Sequence, residues 1–165
     1  MTSSLLTDEA RGWLGAEQTF EPWLVTRMQI AQYAHTLGIT DRVHLDVEEA
    51  RRAGHRDVVA PLGFHLVIRH AAPNLIPITE LAEDGGSDDM TPPSAAQRRM
   101  AGETTTTFHE PIVAGDEIRL SKRIGSLEEK QGRSGPLVFV GYDLEYRREG
   151  SGDLVIAERY VRILR

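Results

Sequence analysis

The chain has 165 residues, 40% of them hydrophobic, enough for one good core and too few for two ordinary domains, so a single domain over residues 1–165 is expected. Its net charge is -6 and its basic side chains are scattered, without a basic run interleaved with aromatics, which argues against a nucleic-acid partner. With no cysteine, no basic-then-apolar leader and no apolar stretch near membrane length, disulfides and thiolate chemistry are excluded, and a cytoplasmic protein without a membrane partner is expected.

In chain order, Phe20 to Val25 alternates weakly and predicts a strand, and Thr26 is a good N-cap for the amphipathic run Arg27 to Leu37, which Gly38 closes. Asp46 caps a short second helix, Val47 to Ala53, with Glu48 and Glu49 in its first turn and Gly54 at its end. From Pro61 to Ala71, the residues Leu62, Phe64, Leu66, Val67 and Ile68 cover most of the helical circumference. A helix apolar nearly all round belongs inside the molecule, and Pro61 suits its first position. Pro73 to Gly102, rich in Pro, Gly, Asp and Ser and without a sustained period, predicts a long functional loop or lid.

After Gly102 the pattern turns to strand. Thr104 to Thr107 is β-branched; Ile118, Leu120 and Ile124 alternate with polar residues; Val138, Val140, Tyr142, Leu144 and Tyr146 share one face; Val155, Ala157, Val161 and Ile163 share another. Breaks at Pro111, at Gly132 to Pro136 and at Gly150 to Asp153 read as hairpin turns, which makes the sheet antiparallel. The predicted class is α+β, a curved antiparallel sheet wrapped around a central apolar helix, the hot-dog arrangement.

Three ordered blocks carry a resemblance. Gly38 to Asp46, continued by Ala50, Gly54 and Val59-Ala60-Pro61-Leu62-Gly63-Phe64, is the first; Phe108 to Asp116 and Glu129 to Val140 are the others. Together they resemble the MaoC-like dehydratases, in their type I fatty-acid-synthase-like branch. The resemblance implies action on acyl thioesters, either as an (R)-specific enoyl-thioester hydratase or 3-hydroxyacyl-thioester dehydratase, or as a subunit of one. It implies no cofactor apart from the coenzyme A or phosphopantetheine carried by the substrate, and a homodimer or a heterodimer with a second MaoC-like chain.

Adding water to a 2-enoyl thioester needs one group to deprotonate the water and another to protonate the α-carbon, and an aspartate and a histidine can share those tasks. The family's motif, Gly-Asp-x-Asn-Pro-x-His-x-Asp, aligns on His44 and puts Ile39 where the family has its aspartate. The resemblance thus makes His44 the catalytic imidazole, Asp41 the candidate substitute carboxylate and Ile39 an aliphatic wall for the acyl chain. Asp46 is explained as a helix cap. By the same resemblance Pro61, Leu62 and Gly63 form the substrate-binding head of the central helix, where the Leu62 and Gly63 amides face the developing thioester oxyanion.

Ile39 leaves a second reading beside the enzyme: a non-catalytic subunit that holds substrate for a partner with the complete motif. The Ala60-Pro61-Leu62 and Pro111 to Asp116 blocks resemble the substrate-holding subunit of the mycobacterial mycolic-acid dehydratases. A thioesterase would need a carboxylate near the central helix, and Ala60 to Phe64 offers none. His65 and His70 lack the spacing of a two-histidine metal face, so no metal is expected, and His109 reads as a structural or rim residue. Arg98, Arg99, Arg123 and Arg133 are candidates for the phosphates of the carrier.

Overall fold

Once extended, the second half of the chain has to pair its backbone polar groups, and the sheet that results positions everything else. The computed structural model describes residues 4–71, 79, 90–96 and 98–165. Strands β1 (Glu17–Thr19) and β2 (Trp23–Leu24) both pair with β4 (Glu117–Gly132), and β5 (Gly135–Arg148), β6 (Leu154–Leu164) and β3 (Arg99–Phe108) follow across the sheet. All the pairings are antiparallel, and the spatial order is β1-β4-β5-β6-β3. The curved antiparallel sheet with few helices is the predicted hot-dog class.

Among the described residues four α-helices accompany the sheet: α1 (Asp8–Arg11), α2 (Arg27–Thr36), α3 (Val47–Arg52) and α4 (His65–Ala71). Thr26 caps α2 through a full capping box, its hydroxyl accepting from the Gln29 amide while the Gln29 side chain accepts from the Thr26 amide. Asp46 accepts from the amides of Glu48 and Glu49 at the head of α3. The inward faces of β4 and β5 bury Ile118, Leu120, Ile124, Val138, Val140, Tyr142, Leu144 and Tyr146, and Phe64 and Ile68 from the α4 segment join the same core.

Several boundaries differ from the sequence reading. The Pro111 break is a crossover between strands that do not pair: β3 lies beside β6 at the far edge, so only the other two breaks are hairpins. The strand expected at Phe20 to Val25 is shortened to β2, and β1 precedes it over residues that were not read as strand; Phe20, between the two, keeps its pairing through its amide to the Leu120 carbonyl. Pairing with β6 draws Arg99 to Gly102 out of the expected loop and into β3. Most of that loop, 73–78, 80–89 and 97, lies outside the described residues.

Helix α4 begins at His65, four residues after Pro61, because Gly63 interrupts the helical path with φ +93°. Leu62, expected inside, is 76% exposed on the turn that precedes the helix. An alanine Cβ at Gly63 would stand 2.6 Å from the Tyr33 hydroxyl, so the position is restricted by both backbone conformation and packing. Gly63→Ala is expected to lower stability by about 1–2 kcal/mol from the left-handed conformation alone, read as a lower urea midpoint with unchanged slope. Tyr33→Phe in the same chain should recover only the contact part of the loss; full recovery would refute the conformational part.

Candidate functional site

A cleft of about 360 Å³ opens where the head of α4, the end of β3 and a 3-10 turn, Arg42–His44, come together. His44 enters from that turn, Pro61 and Leu62 from the segment before α4, His65 from its first turn, Phe108 from the end of β3, Glu110 from the crossover and Ile156 from β6. The turn exists because Asp41 caps it, its carboxylate accepting from the Val43 amide at 3.1 Å.

His44 is half-buried, and its Nδ1 lies 2.7 Å from the Val59 carbonyl oxygen. A carbonyl only accepts, so this bond puts the proton on Nδ1 and leaves Nε2 as the nitrogen available to a ligand. Val59 is fixed in turn: its amide donates to the Val43 carbonyl, and its neighbours bond to the crossover through Ala60 N–H to Ile112 O at 2.8 Å and Ala114 N–H to Val58 O at 3.0 Å.

The crossover is held by Asp116. Its buried carboxylate accepts from the Val113 amide at 2.8 Å, Arg56 Nη2 at 2.5 Å and Arg148 Nε at 2.9 Å. Arg148 also donates to the carboxylate of Glu110, a lining residue of the cleft, at 2.7 Å. These carboxylates hold the Arg148 guanidinium above its usual range, Glu110 with the larger effect.

His65 lies in a different setting. It is 4% exposed, both ring nitrogens are buried without a hydrogen-bond partner among the described residues, and its ring meets Phe108 and Tyr146 edge-on at 5.4 and 5.6 Å. Its Nε2 is 3.8 Å from Glu158 Oε2, beyond hydrogen-bond distance. Glu158 is itself buried, ion-paired with Arg69 and accepting from the Tyr146 hydroxyl at 2.8 Å. Burial lowers the His65 pKa, Glu158 pulls it back up and Arg69 lowers it. Burial beside Glu158 raises the Tyr146 hydroxyl far above the ordinary phenol range.

Of the residues singled out in the sequence, His44, Pro61 and Leu62 line the cleft, while Asp41, Ile39 and Gly63 are not among its lining. Asp41 is exposed, with one carboxylate oxygen on the Val43 amide; Ile39 is half-buried, its amide closing α2 on the Ala34 carbonyl. Among the described residues the Leu62 and Gly63 amides donate to no backbone acceptor. None of Arg98, Arg99, Arg123 and Arg133 lines the cleft, and Arg123 pairs with Asp143. His109, read as a rim residue, does line it. Glu110 lay inside a quoted block but carried no periodicity to mark it. His65 was weighed only as a metal ligand, and Ile156 drew no attention because an isoleucine on an apolar element ordinarily belongs to the core. Among the described residues no His, Cys, Asp and Glu side chains cluster as a metal site, and no helix is long and apolar enough to cross a membrane.

The chain matches the family described as FAS1-like, dehydratase domain region, over residues 12–158. It is 40% identical over 98 residues to a UPF0336 protein of Clavibacter michiganensis, covering 59% of this chain and 58% of that one. It is 30% identical over 142 residues to a probable enoyl-CoA hydratase alpha subunit of Thermomonospora curvata, covering 82% of this chain and 43% of that one. The chain therefore spans less than two thirds of either relative. Among solved structures, a MaoC-like dehydratase superposes with TM-score 0.74 at 20% identity, covering 94% of this chain and 43% of that one. The C-terminally truncated HadBC (3R-hydroxyacyl-ACP dehydratase) complex of Mycobacterium tuberculosis superposes with TM-score 0.69 at 17% identity, covering 99% of each chain.

The lowered pKa of His65 fixes the sign of a pH effect. The unfolded chain takes up a proton at this residue near the usual histidine value, about 6.5, while the folded chain resists it, so stability falls as pH drops below that value. Chemical denaturation at pH 7.5 and at pH 5.5 should show the loss, and His65→Leu should reduce it. An unchanged pH dependence in the variant would refute the assignment.

Proposed function

This chain belongs to the FAS1-like dehydratase-region family and has the hot-dog fold of the MaoC-like dehydratases, and from that premise we propose that it holds a 2-enoyl or 3-hydroxyacyl thioester in the His44 cleft, as one subunit of an (R)-specific hydratase–dehydratase. The observation that carries this reading is the fixed tautomer of His44. The bond from Nδ1–H to the Val59 carbonyl leaves the Nε2 lone pair to accept a proton from the adding water, or to return it in the reverse direction. The thioester oxygen would lie at the turn before α4, facing the Leu62 and Gly63 amides. The coenzyme A or phosphopantetheine arm enters as part of the substrate.

A second acid–base group is needed for turnover. Ile39 cannot supply it, and Asp41 is engaged in capping the 3-10 turn. The reading favoured is therefore a substrate-holding subunit whose partner chain completes the chemistry. The hydratase alpha-subunit name of the Thermomonospora relative and the likeness to the HadBC complex support it. So does the outer edge of β3: ten residues long, exposed along almost its whole length and without a strand on its outer side among the described residues, it offers backbone donors and acceptors to another chain. A different observation favours activity without such a partner: Glu110, whose carboxylate pairs with Arg148, lines the same cleft as His44.

Loss of enoyl absorbance from crotonyl-CoA and from a longer trans-2-enoyl-CoA separates the two. The purified chain alone is expected to bind acyl-CoA but to turn it over no faster than its His44→Ala variant. Turnover by the chain alone that drops at least about 100-fold, a typical acid–base contribution, in both His44→Ala and Glu110→Gln would establish the self-sufficient enzyme instead. Light scattering should report a dimer or larger species, and a monomer at assay concentration would contradict the shared-edge arrangement.

A further inference from the structure

The inner end of the cleft decides how much of a ligand it admits. His65 and Ile156, 4% and 2% exposed, are the buried lining residues that α4 and β6 contribute. One turn further along α4, about 6 Å on, stands Arg69. Two residues further along β6, on the same face and about 7 Å on, stands Glu158. These two side chains form an ion pair, and the Tyr146 hydroxyl occupies the second carboxylate oxygen at 2.8 Å.

The β6 wall beyond the pair is also polar. The inward face of β6 continues from Glu158 to Tyr160 and Arg162, which stand opposite Leu144, Tyr142 and Val140 of β5. The Arg69 guanidinium lies 4.9 Å from the Tyr160 ring centre, and that of Arg162 lies 5.5 Å from the Tyr142 ring centre. The space between α4 and the sheet is thus closed behind His65 by an ion pair and cation–aromatic contacts, where a channel for a long alkyl chain would need aliphatic walls. Burying one more methylene gains far less than stranding a buried carboxylate costs, so a growing alkyl chain cannot push the pair apart.

Resting on the reading that this cleft holds an acyl thioester, we propose that the Arg69–Glu158–Tyr146 cluster, fronted by His65 and Ile156, ends the acyl pocket and restricts the protein to short acyl groups of the butanoyl-to-hexanoyl class. The length limit is a property of the wall and does not depend on which group completes the chemistry.

Isothermal titration calorimetry of the full chain, in whatever assembly it forms, with butanoyl-, hexanoyl-, octanoyl- and dodecanoyl-CoA tests this. Butanoyl- and hexanoyl-CoA should bind, and the two longer thioesters should bind at least about tenfold more weakly. His65→Ala, which removes the ring but leaves the ion pair, should move the limit towards octanoyl-CoA. Ile156→Phe should move it the other way and weaken hexanoyl-CoA more than butanoyl-CoA, and it keeps the test decisive if the alanine variant does not fold. Affinity that rises steadily to dodecanoyl-CoA, as an open apolar channel would give, overturns the proposal and leaves the acyl-thioester reading standing. Failure of every thioester to bind beyond free coenzyme A overturns that reading and, with it, the length limit.

Discussion

Three consecutive backbone units, Val58 to Ala60, hold the site together. Through them the helical layer is joined to the crossover between β3 and β4: the Val58 carbonyl and the Ala60 amide bond to Ala114 and Ile112, and Val59 bonds to Val43 and to the His44 ring. This short extended segment therefore sets the distance between the His44 turn and the opposite wall of the cleft. Its far side depends on Asp116, a buried carboxylate whose oxygens accept from two guanidiniums and an amide at once. One charge cluster away from the cleft thus fixes the geometry within it.

The two histidines of the cleft, His44 and His65, show how environment divides the roles of one residue type. His44 is half-buried, with one nitrogen committed to a carbonyl and the other left to a ligand, an arrangement suited to proton transfer. His65 meets two aromatic rings, has no hydrogen-bond partner among the described residues and has its pKa lowered by burial, so it acts as a wall. Behind it, Glu158 would be costly to bury alone. With Arg69 on α4 and Tyr146 on β5 it becomes a three-element tie that locks the helix to the sheet while closing the interior.

Much of the fold was legible in the chain. Thr26 with Gln29 and Asp46 with Glu49 mark helix starts that depend on local hydrogen bonds, and alternation in β4 and β5 reports burial on one side of a pleat. The crossover at Pro111 was not legible, because a break at a proline looks the same whether the next strand pairs with the previous one or with a distant one. β6 was ambiguous for a related reason. Its aliphatic stripe, Val155, Ala157, Val161 and Ile163, lies opposite the inward face, because pairing of Ile156 with Tyr146 turns Ile156, Glu158, Tyr160 and Arg162 towards α4.

The site divides in the same way. The family blocks and His44 were present in the linear sequence, as was the replacement of a carboxylate by Ile39, since these are matters of residue identity at fixed spacing. Which groups share one cleft was decided only by the tertiary structure: Glu110 and Ile156 reach His44 from segments more than sixty residues away, and Arg69 meets Glu158 across 89 positions. Local sequence determines elements through short-range hydrogen bonds and periodicity. Long-range pairing and the burial of charge determine which face of each element looks inward, and no window along the chain contains that information.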